Sequence, residues 1–130
     1  DQRPRVLITA PWTEHAMQAL SEHFELDVHP GPEPLSHGEW LGALMNYDAI
    51  CPTVTDRIPS EAYKGADNRT KLLANFGVGY NHIDVTAAKA GGVAVTNTPG
   101  VLTEATADQA MGLMLAVARG ISLGDWHVRA

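Results

Sequence analysis

Three stretches of this chain hold residue types able to do chemistry. The first is the turn Gly77-Val78-Gly79, where the absence of side chains lets other atoms reach the backbone and leaves amide groups open to a small anion. The second is His82 with Asp84 two positions on, the raw material of an acid–base pair. The third is Cys51, a nucleophile wherever a basic neighbour draws off its proton. Local context favours structural roles for the last two. His82 reads as a loop imidazole beside a helix cap, and Cys51 precedes Pro52 at a strand end with no basic partner nearby. Trp12 and Trp40 flank capping residues, which suits hydrophobic staples better than stacking platforms.

The glycine turn invites comparison with a dinucleotide fingerprint, and the comparison fails twice. The third glycine of that pattern is replaced by His82, which keeps the following helix from packing closely on its strand. An acid about 20 residues on should hold the ribose hydroxyls, whereas the next strand ends in Thr96-Asn97-Thr98. A bare Gly-x-Gly after a strand specifies little more than a tight turn.

The elements that must position these residues alternate. Arg5 to Ala10 is a strand ended by Pro11, and Thr13 caps a helix whose Ala16, Met17, Leu20 and Phe24 share one face under a Trp12–Met17 staple. Leu26 to Val28 is a short strand, followed by the stiff loop Pro30 to Pro34. Ser36 and Glu39 form a capping box stapled by Leu35 and Trp40, opening a helix that carries Leu41, Leu44 and Met45. Asp48 to Cys51 is a third strand, and Pro59 to Tyr63 a helical turn. Leu72 to Ala74 leads into the glycine turn, Asp84 caps a helix from Val85 to Ala90 that Gly91-Gly92 ends, and Val93 to Thr96 returns as a strand. Such alternation predicts an α/β sandwich on a parallel sheet of about five strands. Ligands of such sheets sit at the carboxyl ends of the strands: here Ala10-Pro11-Trp12, Cys51-Pro52-Thr53-Val54, Phe76-Gly77-Val78-Gly79 and Asn97-Thr98-Pro99.

Composition narrows the class. A length of 130 residues is one domain with a real core, and 45% hydrophobic against 18% charged is a globular balance. The net charge of -6 argues against nucleic acid or an anionic membrane as partner. The lone Cys51 rules out an internal disulfide and points to a reducing, cytoplasmic setting. No apolar run is long enough to span a bilayer, since the longest near the C-terminus is Leu113 to Ala118. The chain starts at Asp1 without an initiator Met and reads as trimmed or excerpted. From Thr103 to Arg119 a long helix carries apolar residues around most of its circumference, so something beyond one small domain must cover it. After Gly120 no further closing structure is expected.

Two stretches now carry a resemblance. Asn75-Phe76-Gly77-Val78-Gly79-Tyr80-Asn81-His82-Ile83-Asp84 and Asn97-Thr98-Pro99-Gly100-Val101-Leu102-Thr103-Glu104-Ala105-Thr106-Ala107-Asp108 resemble two signatures of the D-2-hydroxyacid dehydrogenases. The second is most similar to the glyoxylate/hydroxypyruvate reductase branch. Ala87-Ala88-Lys89-Ala90-Gly91-Gly92 between them and Asp125 to Ala130 behind them also match in order and spacing. The likeness covers essentially the whole chain.

The resemblance implies a flavodoxin-like substrate domain over 1–100, and over 101–130 a long inter-domain helix leading to a nucleotide-binding domain that binds NAD or NADP. It implies reduction of a small 2-keto acid of the glyoxylate or hydroxypyruvate type, in a cytoplasmic homodimer. The family's catalytic Arg, Glu and His fall downstream of Ala130, so no catalytic residue is expected in this chain and none of its six histidines matches. The Gly77-Val78-Gly79 turn corresponds to the loop that receives the substrate carboxylate, with Val78 also near the nicotinamide. Thr106 matches a position beside the nicotinamide pocket, and Val54 a wall of the substrate pocket. Against these stand a mere tight turn and an ordinary first-turn threonine. A phosphoacceptor receiver would need acids after the first and third strands, and an FMN-binding flavodoxin a hydroxyl-rich loop after the first; neither is present. A stand-alone interaction module dimerising through the apolar last helix is the other open alternative.

Overall fold

Five short parallel strands form in the computed structural model, which describes residues 3–130. They are β1 (Arg5–Ile8), β2 (Glu25–Val28), β3 (Ala49–Cys51), β4 (Leu72–Ala74) and β5 (Ala94–Thr96). Their order is β2-β1-β3-β4-β5 and every pairing is parallel, the flavodoxin-like arrangement in which strand order reverses between β1 and β3. The register sets Leu7 beside Ile50, Ile50 beside Leu73 and Leu73 beside Val95.

Because side chains alternate along a strand, each strand feeds two cores. Leu7, Ile50 and Leu73 point to one face, where they meet Leu35, Trp40, Ala43, Leu44, Tyr63 and Ile83. Val6, Ile8 and Cys51 point to the other, packed against Trp12, Met17, Leu20 and Phe24. Helix α1 (Glu14–Ser21) covers the second face. Helices α2 (His37–Asn46) and α3 (Val85–Ala90), with a 3₁₀ turn at Ser60–Lys64, supply the first.

The helix starts follow the local chemistry. Thr13 Oγ1 accepts the Ala16 amide, Ser36 and Glu39 close a full capping box, and Asp84 Oδ1 accepts the Ala87 amide at 2.9 Å. Gly91 and Gly92 end α3, with Gly92 left-handed at φ +75°. Gly91 has a second reason to lack a side chain: a Cβ there would lie 2.5 Å from the Tyr63 carbonyl oxygen.

One expectation needs correction, and the phase of α2 sorts the apolar residues read on it. The inward face of α2 is Trp40, Ala43 and Leu44, whereas Leu41 and Met45 are exposed. The staple that buries Trp40 fixes the helix phase and turns those two outward. The segment after Gly120 also has structure. Gly120, left-handed at φ +60°, separates α4 (Thr103–Ala118) from a further helix, α5 (Ile121–Arg129). The chain divides into two compact units, 1–98 and 99–130. In the second, neither helix has a buried residue. None of the described helices is long and apolar enough to cross a membrane.

Two glycines test this packing. Gly42 lies inside α2, and a methyl group placed there would meet nothing within 4 Å, so Gly42→Ala should gain about 0.5–1 kcal/mol in urea unfolding. Gly91→Ala, driven into the Tyr63 carbonyl, should lose about 1–3 kcal/mol in the same measurement.

Candidate functional site

Parallel pairing brings the carboxyl ends of β1, β3, β4 and β5 to one edge of the sheet. An isolated bridge from Thr53 to Phe76 and the Phe76 amide on the Pro52 carbonyl at 2.8 Å carry the β3–β4 pairing past the strands themselves. Phe76 then packs on Trp12, ring centres 5.2 Å apart, so the loop after β1 is tied to the loop after β4. The glycine turn hangs from this edge.

Its carbonyls are all held. The Asn75 side-chain amide donates to Gly77 O at 3.2 Å and to Gly79 O at 2.9 Å, while the Thr98 amide donates to Gly77 O at 3.0 Å. The Asn97 side-chain amide donates to Val78 O at 2.9 Å. With no cis peptide among the described residues, each N–H points opposite to the carbonyl of its own peptide plane. The Val78 and Tyr80 amides therefore face away from Asn75, and the Gly79 amide faces away from Asn97. Among the described residues none of these three amides donates to another group. An N–H with no internal partner is a donor left for solvent or an anion.

The two glycines differ in purpose. Neither is left-handed, so backbone conformation does not require them. At Gly77 a Cβ would come within 3.0 Å of Val54 Cγ1, which places the expected pocket residue Val54 directly against the turn. At Gly79 a Cβ would meet nothing within 4 Å, so that position is open to whatever approaches the amides. Val54 and Gly79 are exposed and Val78 half-buried. Thr106 lies exposed on α4, in the other compact unit.

His82 is buried and faces Asn75, not Asp84: its Nε2 lies 2.8 Å from Asn75 Oδ1. Burial pushes the imidazole below its ordinary pKa, with the Asp56 charge acting in the opposite sense and Arg57 reinforcing the drop. Asp84 is spent on capping. The Ala87 amide, then Ser60 Oγ at 2.8 Å, hold its carboxyl below the usual carboxylate range. Cys51 is buried, and desolvation raises its thiol to about 11, so it stays protonated and unreactive near neutrality.

Asp56 fills the point where strand order reverses. The residue is 1% exposed, and its carboxylate accepts from Thr9 Oγ1, after β1, at 2.6 Å and from the Thr53 amide, after β3, at 2.8 Å. A flavodoxin would need that place for a phosphate; here a negative side chain occupies it. Asp56, Asn75 and Asn97 are the residues sequence reasoning passed over. The available signal was a polar residue immediately after an apolar strand, as Asn75 follows Leu72-Leu73-Ala74 and Asn97 follows Ala94-Val95-Thr96.

Concavity alone does not find this site. A hollow of about 510 Å³ lies at the opposite ends of the strands among Arg3, Arg5, Phe24, Glu25 and Arg69. Its strand-end arginines are already paired, Arg5 with Asp27 at 2.7 Å and Arg69 with Asp48 at 2.7 Å. Beside the glycine turn is a smaller pocket of about 200 Å³ lined by Tyr80, Val85, Val95, Thr96 and Asn97.

A pH measurement tests the buried imidazole. With the folded pKa below the unfolded value of 6.5, the unfolded chain binds more protons in that interval, so stability should fall as pH drops through and below about 6.5. Asp84, held low, acts in a separate window, losing its contribution only as pH falls below the ordinary 3.8 toward its folded pKa. His82→Gln should flatten the melting temperature between about pH 7 and pH 5 while leaving the more acidic transition in place.

Comparison with known proteins fits this architecture. Residues 6–121 match the family described as D-isomer specific 2-hydroxyacid dehydrogenase, catalytic domain. Glyoxylate reductase of Thermococcus kodakarensis is 41% identical over 128 residues, covering 98% of this chain and 38% of that protein; glyoxylate reductase of Korarchaeum cryptofilum is 39% identical over 127 residues with the same coverage. The chain thus spans under two fifths of the length of these relatives. A Thermus thermophilus protein of solved structure superposes with a TM-score of 0.82 at 40% identity, covering 96% of this chain and 40% of its own. An NADPH-dependent glyoxylate/hydroxypyruvate reductase of Sinorhizobium meliloti, solved with citrate, superposes with a TM-score of 0.75 at 31% identity, covering 98% and 39%. Since the family pattern runs through the sheet, the glycine turn and the whole of α4, the chain belongs to the D-isomer specific 2-hydroxyacid dehydrogenases.

Proposed function

We propose that this chain is the substrate-side portion of an NAD(P)-dependent dehydrogenase that reduces a small 2-keto acid of the glyoxylate or hydroxypyruvate type. Its own share is to hold the substrate carboxylate on the Gly77-Val78-Gly79 turn. One observation carries the reading: every carbonyl of the turn is tied to the protein, and the amides of Val78 and Gly79 are left without an internal partner among the described residues. Hydrogen bonds from amides to a carboxylate are charge-assisted and need no cationic side chain. The relatives support the substrate class, being named glyoxylate reductases, and the Sinorhizobium meliloti enzyme was solved with carboxylates, citrate in one structure and malonate with NADP in another. Val54 and Val78 give the site its apolar wall.

The turn does not fit the pyrophosphate of a dinucleotide. The amides at the start of α3 are already capped by the Asp84 carboxylate, and an anion beside it would be repelled. The chain's share in the cofactor is therefore limited to edge contacts from Val78 and Thr106 toward the nicotinamide ring, with the nucleotide held by other parts of the protein. Reduction of the keto group also needs a proton donor and a carbonyl polariser. His82 is tied to Asn75 and Cys51 keeps its proton, so these groups too come from elsewhere, and this chain contributes position.

Gly79→Val tests the cradle in the full-length enzyme. A Cβ at this open position meets nothing within 4 Å and the backbone is not left-handed, so thermal stability should stay near parental. Loss of one charge-assisted bond should lower kcat/KM for glyoxylate by about 10- to 150-fold, with NAD(P)H affinity little changed. Parental kinetics in a folded variant would reduce the turn to a turn.

A second reading concerns assembly, and the exposed apolar side chains of α4 favour it. Met111, Leu113, Met114, Leu115 and Val117 are 53–82% exposed, more than a solvated helix carries. The helix is proposed to be covered by a second copy, giving a homodimer. Sedimentation of the 130-residue chain should show association; a compact monomer that binds no hydrophobic dye would count against it.

A further inference from the structure

Asn75 and His82 form a brace whose chemistry has only one consistent assignment. Gly77 O and Gly79 O, at 3.2 and 2.9 Å, are both acceptors, so the side-chain atom of Asn75 that faces them must be the NH2 group. Its Oδ1 then faces His82, and a carbonyl oxygen can only accept. Nε2 of His82, 2.8 Å away, must therefore carry a proton. An asparagine amide can rotate by half a turn and exchange its two ends at little steric cost. The exchange is opposed on both sides, by the two carbonyls and by the imidazole N–H, which is itself held in place by burial at 8% exposure.

We propose that Asn75 and His82 are positioning residues for a carboxylate ligand, with His82 Nε2–H locking the Asn75 amide so that its two protons pin the Gly77 and Gly79 carbonyls and turn the Val78 and Tyr80 amides outward. The inference rests on the carboxylate-cradle reading and deepens it, because it says why the turn holds its peptide planes. Neither side chain touches the ligand. The Asn97 amide does the same for the middle plane through Val78 O, but nothing comparable fixes its orientation among the described residues. The strand-helix geometry at residues 75–84 makes the arrangement possible: Asn75 leaves β4 and His82 returns just before the Asp84 cap, so the turn between them closes over one side-chain pair.

The test uses the full-length protein with ¹⁵N-labelled histidine and backbone. The His82 signals should report a proton on Nε2 and a bare Nδ1; the opposite tautomer would overturn the brace, since Asn75 would then present its NH2 group to His82. Titration with oxalate should shift the Val78 and Gly79 amide signals. His82→Leu, which fills the space and removes the donor, should weaken that response and raise KM for glyoxylate about tenfold or more with kcat less affected. His82→Gln, which restores an N–H donor near the Nε2 position, should recover most of both. Asn75→Asp, which offers only acceptors to two carbonyls, should behave like His82→Leu. If His82→Leu is merely less stable, with parental oxalate response and parental KM, the brace is overturned. If the full-length protein reduces no 2-keto acid and yet the amides shift with oxalate in the predicted variant order, the reductase reading fails and the brace stands. If oxalate moves neither amide in the parental protein, the proposal falls.

Discussion

Parallel strand pairing is the constraint on which the rest of this structure depends. Strands that all run one way leave all their carboxyl ends on one edge, and every loop that leaves that edge begins with backbone groups no longer satisfied by the ladder. The chain answers with polar residues at the first position after an apolar run. Thr9 follows β1, Asn75 follows β4 and Asn97 follows β5, and each is wholly or partly buried and hydrogen-bonded. Asp56, returning from the loop after β3, adds a carboxylate that joins the ends of β1 and β3. Edge chemistry is thus a consequence of topology before it is a consequence of function.

Burial raises the stakes at this edge. A lone carboxylate at 1% exposure would be costly, and Asp56 is tolerated because a hydroxyl and an amide donate to it. The same logic governs His82, which is buried with its Nε2–H donating to Asn75 Oδ1. Satisfying the carbonyls of the glycine turn from below leaves the amides above without internal partners, so an edge built this way presents donors to any group that accepts hydrogen bonds. The apolar ring pair Trp12–Phe76 and the side chain of Val54 wall the same edge, which suits a ligand with a charged end and little else.

Much of the fold was legible because its signals are local. The Ser36–Glu39 capping box, the Asp84 cap and the Gly91-Gly92 stop each depend on residues within a few positions of one another, and each formed where read. The Trp12–Met17 staple likewise put both residues against one core. What was not legible depends on partners far along the chain. Which face of α2 turns inward was fixed by Trp40 meeting Leu35, Leu44 and the sheet, so Leu41 and Met45, apolar in sequence, ended outside. Helix α5 was missed because Gly120, read as an ending, is a left-handed joint from which a new helix starts. At the site, the glycine turn was visible as two missing side chains, while the groups that orient it, Asn75 and Asn97, looked like ordinary strand ends. Only the pairing of strands four and five reveals that their amides meet one loop.

The likeness of this turn to a dinucleotide-binding loop shows how one backbone unit is committed to different anions. In both, a strand runs through Gly-x-Gly toward a helix, and the free amides and helix dipole favour negative charge. Where the helix start is bare, its dipole and first-turn amides are available to a phosphate. Here Asp84 bonds to Ala87 N and Ser60 donates to Asp84, so the dipole is already answered by a fixed carboxylate. His82 stands where a third glycine would let strand and helix close together, and it is buried against Asn75. Both substitutions push the free amides back along the chain, from the helix start to the turn itself, where Gly79 leaves the approach open. A turn of two or three amides with no dipole behind it suits one small anion head better than a bridging pyrophosphate. His82 and Asp84 are therefore the two residues that set this turn apart from the dinucleotide pattern it resembles.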